Sequence, residues 1–96
     1  MKRALPEFII RPNFKRRAYS DVEKTSLLKY MKTSGDLHAA AGYVDDIVKG
    51  IITSIECGGY RDDEYEWSDQ DTYHIEKYDA AVTDEFLEHV MRKAAG

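Results

Sequence analysis

The chain has 96 residues, room for one hydrophobic core, and it is 43% hydrophobic and 33% charged with only two prolines. That composition excludes collagen-like, proline-rich and fully disordered classes. The formal net charge of −4 joins unlike parts: residues 1–33 hold nine Lys or Arg against three acids, and residues 34–96 hold five against fifteen.

Residues 1–19 read as a basic arm ahead of a globular domain over 20–96. Within the arm, Glu7-Phe8-Ile9-Ile10 reads as a short strand that Pro6 and Pro12 confine to a sheet edge. Its apolar run is too short for a secretory leader, and no window approaches the roughly 18 apolar residues of a membrane span. The single cysteine, Cys57, excludes an intrachain disulfide. These features predict a soluble, cytoplasmic protein.

Ser20-Asp21-Val22-Glu23 fits a capping box and predicts a helix over 21–33 that buries Leu27, Leu28 and Met31, with Ser34-Gly35 as its stop. From Leu37 to Ile55, apolar residues recur at helical spacing. Gly42, Gly50 and a run of β-branched residues oppose one long helix, and Ile51, Thr53, Ile55 and Cys57 alternate as a strand would. The expectation is a helix over Leu37–Lys49 followed by a strand over Ile51–Cys57.

Gly58-Gly59 reads as a turn or helix cap. Glu64-Tyr65-Glu66-Trp67 alternates and predicts a strand with both aromatics on one face, forming a hairpin with 51–57. Ser68 and Asp71 start another helix carrying Tyr73, Ile75 and Tyr78. The last helix is capped by Thr83, has acids in its first turn and bases in its last, and shows a stripe of Phe86, Leu87, Val90, Met91 and Ala94. The predicted fold is a small, helix-rich single α+β domain: three or four helices and a short antiparallel β-hairpin.

No pattern points to catalysis. Cys57 lies far in sequence from His38, His74 and His89, without a local nucleophile–base signature. Glu85 and His89 stand four apart on one helix but offer two ligands where a metal site needs three or four. Asp69-Gln70-Asp71 opens like a calcium loop and then lacks its glycine and its closing glutamate. No glycine-rich loop leads into a helix to cradle phosphate. The chain is therefore expected to be non-enzymatic, with no catalytic residue, cofactor or metal.

Two surfaces remain. Between Glu56 and Glu88, twelve carboxylates face only Arg61 and Lys77. Asp62, Asp63, Glu64, Glu66, Asp69 and Asp71 crowd around Tyr65 and Trp67, which predicts an acidic-aromatic surface for a basic protein partner. Such carboxylates can imitate phosphates, and an inhibitor or nucleic-acid mimic of phage or mobile-element type has this character. Its partner would be a nucleic-acid-handling protein. The alternative is a nucleic-acid-binding accessory protein using Arg11, Lys15, Arg16, Arg17 and Lys24, whose cations would displace counterions from phosphates.

Overall fold

The computed structural model describes residues 1–6 and 10–95; the strand expected over 7–10 falls, except for Ile10, outside them. Among the described residues, three helices and one mixed four-stranded sheet form an α+β domain. The elements are β1 (Lys2–Arg3), α1 (Asp21–Thr33), β2 (Asp36–Asp46), β3 (Ile51–Arg61), β4 (Tyr65–Ser68), α2 (Asp69–Tyr78) and α3 (Asp84–Ala95), with sheet order β1-β4-β3-β2. Among the described residues, no helix is long and apolar enough to cross a membrane.

The helix starts follow from local chemistry. Ser20 Oγ accepts from the Glu23 amide at 3.1 Å while the Glu23 carboxylate accepts from the Ser20 amide at 2.9 Å. Ser68 and Asp71 repeat that exchange at the start of α2. Thr83 Oγ1 accepts from the Phe86 amide at 3.1 Å and caps α3. Phe86, Leu87 and Val90 of α3 are buried as their spacing requires, and Ala94 is exposed.

The helix expected over Leu37–Lys49 does not form. Residues 36–46 are a strand, and they pair antiparallel with β3 as a long two-stranded ribbon. Its turn explains the choice. The Asp46 carboxylate accepts from the Val48 and Lys49 amides at 3.0 and 2.9 Å, and Gly50 closes the turn with φ of 69°. With the chain reversed there, the β-branched residues around it extend on both sides.

The predicted β3–β4 hairpin exists in another register. Gly59, Tyr60 and Arg61 pair with Ser68, Trp67 and Glu66, so residues 51–57 pair with β2 instead, and Gly58-Gly59 lies inside β3. The cause is a tight reversal at Asp62, whose carboxylate accepts from the Glu64 and Tyr65 amides at 2.8 and 2.7 Å.

Trp67 sits at the centre of the core, 1% exposed. Its indole N–H donates to the Met31 carbonyl at 3.0 Å, and its ring lies 5.6 Å from that of Phe86. Helices α1 and α3 thereby cover the β4 side of the sheet. Residues 1–6 and 10–19 run against this body. Lys2 and Ala4 donate to the Glu64 and Glu66 carbonyls, Ala4, Leu5 and Ile10 are buried, and Arg16 bridges to Ala80.

Candidate protein-binding surface

The acidic-aromatic stretch is largely internal. Tyr65 and Trp67 are core residues and Asp71 is buried, so these three are withheld from any partner. This corrects their expected placement: strand alternation turns both aromatics inward, and Asp71 is the returning half of a helix cap. Asp69 accepts from the Gly58 amide at 2.9 Å and from the Tyr60 hydroxyl at 3.3 Å. Glu66 lies 3.8 Å from the Arg3 guanidinium.

Asp62 closes its turn and also meets two side chains. It accepts from the Tyr30 hydroxyl and lies 2.8 Å from His89 Nε2. Burial alone would raise its pKa, but these donors together hold it down at about 2. Asp71 goes the other way: burial pushes it up to about 6, and Arg3 offsets only part of that. Asp63 and Glu64 remain exposed.

The basic candidates are divided. Arg17 pairs with Asp84 at 2.5 Å and Lys24 with Asp79 at 2.7 Å, while Arg16 lies over the Phe14 and Tyr78 rings. Arg11, Lys15 and Arg16 are exposed.

The ribbon behaves differently. Eight large hydrophobic residues are exposed among those described, and six of them, Leu37, Tyr43, Val48, Ile51, Ile52 and Ile55, belong to β2, β3 or their turn. Ile52 is 73% exposed, Leu37 61% and Tyr43 56%. Such a concentration is what interaction sites show; apolar side chains scattered singly would need no explanation. Directly opposed residues share a face, and Tyr43 opposes Glu56 while Asp45 opposes Ile52. Tyr43 and Asp45 stand two apart in β2 on either side of the buried Val44, which puts both pairs on the outer face. The face therefore mixes aromatic and aliphatic groups with two exposed carboxylates.

The ribbon is held in place at its far end. Asp46 is fully buried, and its carboxylate accepts from the Tyr73 and Tyr78 hydroxyls, both at 2.7 Å. Burial opposes the charge on Asp46, yet its four hydrogen bonds outweigh that and lower its pKa. Donation to Asp46, with burial adding to it, pushes Tyr73 up to about 12. His74 Nε2 accepts from the Ile47 amide at 3.2 Å, and Nδ1 donates to the Gln70 carbonyl at 2.8 Å. The Gln70 amide takes both backbone groups of Asp45, accepting from its N–H at 2.9 Å and donating to its C=O at 2.5 Å. A ribbon fixed in this way loses little freedom when it binds.

No protein-family model, curated protein or solved structure matches this chain. The surface is therefore read from its own chemistry. The sequence signal for it was the β-branched alternation of Ile51, Thr53 and Ile55; nothing local said which of those residues α2 would leave uncovered.

Proposed function

We propose that this chain is a non-catalytic binding protein whose contact element is the β2–β3 ribbon. Its partner is a protein that presents apolar side chains bordered by Lys or Arg. The observation that carries this reading is the exposure of Tyr43 and Ile52 on one face with Glu56 and Asp45 beside them. Apolar groups supply the binding energy, while the carboxylates steer approach and reject acidic surfaces. The charge of the larger part of the chain, residues 34–96, favours a basic partner in the same sense. An inhibitor that competes with nucleic acid for such a protein is the finer form of this reading. It draws on the exposed acids of the ribbon, Asp36, Asp45 and Glu56.

The test compares three baits of equal fold: the unaltered chain, a Tyr43→Ser/Ile52→Ser variant, and an Asp63→Asn/Glu64→Gln variant. A partner held by the first and third and lost by the second supports the ribbon. Glu56→Lys should then slow association with the purified partner and weaken its salt dependence. A partner lost only by the Asp63→Asn/Glu64→Gln variant would return the function to the acidic turn and sink the ribbon reading.

A further inference from the structure

The turn between β3 and β4 meets α3 at a group of side chains that the ribbon reading does not use. Ligand atoms of Asp62, Asp63 and His89 all lie within 4.8 Å of one another. We infer that Asp62, Asp63 and His89 form a binding site for a divalent first-row transition-metal ion, with Glu64 orienting the imidazole from behind.

Four features support the assignment. The donor set, one imidazole and two carboxylates, suits a borderline cation such as Zn²⁺, Fe²⁺ or Mn²⁺. The site is rigid, because the Asp62 carboxylate is oriented by the Glu64 and Tyr65 amides at one oxygen and by the Tyr30 hydroxyl at the other. His89 Nε2 and Asp62 Oδ2 stand 2.8 Å apart. Two ligands at about 2.1 Å from one ion and at right angles to each other are separated by about 3.0 Å, so little movement is required.

The fourth feature is the far side of the ring. His89 Nδ1 faces the Glu64 carboxylate at 3.9 Å. Metal-bound histidines commonly place a carboxylate at that nitrogen, which fixes the tautomer with Nδ1 protonated and Nε2 free to bind. A metal at Nε2 requires that nitrogen to be unprotonated, and the ring proton then sits on Nδ1, the side that Glu64 faces. The His89 side chain is 2% exposed and that of Asp62 8%, while Asp63 is exposed and gives the ion an entry from solvent. Three protein ligands leave the remaining coordination positions to water.

The test is calorimetric titration of the chelator-stripped full chain with Zn²⁺ alone at neutral pH. The expected result is one ion per chain, with affinity reduced about tenfold or more by Asp63→Asn and about tenfold by Glu64→Gln, which acts only through His89. Among the described residues Asp63 accepts no hydrogen bond, so its variant should melt like the parent in the absence of metal. Cys57→Ser and His38→Gln, which remove a thiol and an imidazole from the ribbon, should leave the affinity unchanged. Absence of one-to-one binding would overturn the site. So would binding that survives Asp63→Asn and disappears with Cys57→Ser or His38→Gln.

Discussion

Two stretches of this chain combine carboxylates with large apolar side chains, and the fold uses them in opposite ways. In residues 60–73 the aromatic rings of Tyr65 and Trp67 are core, and Asp62, Asp69 and Asp71 accept hydrogen bonds from amides and hydroxyls of the domain itself. In residues 43–56 Tyr43, Val48, Ile51, Ile52 and Ile55 are exposed while Val44 is buried, and Asp45 and Glu56 stand exposed beside them. The difference lies in backbone donors. A turn or a helix start leaves N–H groups that a nearby carboxylate satisfies, and such an acid no longer belongs to the free surface. Counting charges along the chain therefore overstates the acidic surface of 60–73.

The largest contrast should come from truncating one apolar residue in each stretch. Trp67→Ala removes a ring packed between Met31 and Phe86 and should cost about 3–5 kcal/mol. Ile52→Ala should change stability by no more than about 0.5 kcal/mol, since the side chain is 73% exposed. Urea denaturation of both variants checks the pair. Equal losses would mean that Ile52 is packed and the ribbon is not a free surface.

A smaller effect probes how tightly the aromatic core is closed. A Cβ at Gly35 would lie 2.6 Å from Trp67 Cζ2 and 2.9 Å from Tyr60 Cβ. Gly35→Ala should therefore cost about 1–3 kcal/mol by overpacking, visible as a lower melting temperature. An unchanged melt would show that Trp67 can shift, and the core would be looser than the distances indicate.

How much of this was legible in the sequence depends on the range of the forces involved. The caps at Ser20, Ser68 and Thr83 and the stripe of α3 act within one turn of chain, so the letters alone locate them. The alternation of Tyr65 and Trp67 predicted a shared face correctly and could not say that the face was inward. Residues 37–49 misled because β2 carries an extra residue at two register irregularities, at 37/39 and 40/43. Each irregularity shifts the two-residue period, and the shifted pattern of Leu37, Ala40, Val44 and Ile47 matches a helix. The exposed face was not legible because it depends on where α2 docks. That docking is fixed by Asp46 with Tyr73 and Tyr78, 27 and 32 residues away.

A further effect is the pH dependence of Asp71, whose burial raises it to about 6. Its value in the unfolded chain is about 4. Between these values the folded state holds a proton that the unfolded state releases, so this group makes the fold less stable as pH rises across that window. Asp71→Asn keeps an oxygen for the Ser68 amide and cannot ionise. The stability difference between variant and parent should therefore move in the variant's favour from pH 4 to pH 6. A difference that stays flat would mean that Arg3 keeps Asp71 charged throughout, and the last acid of the 60–73 stretch would resemble its neighbours.

The Gln70 amide on Asp45 has a consequence for how this sheet ends. One edge is β1, only two residues long, and the other is β2, eleven residues long. A long open edge invites further strands, and unchecked addition leads to fibres. Gln70 offers Asp45 one acceptor and one donor, the same pair of groups that the peptide unit of an incoming strand would bring. The side chain thus imitates one residue of a fifth strand that is never built, and extension of the sheet along β2 is stopped before it reaches the tip.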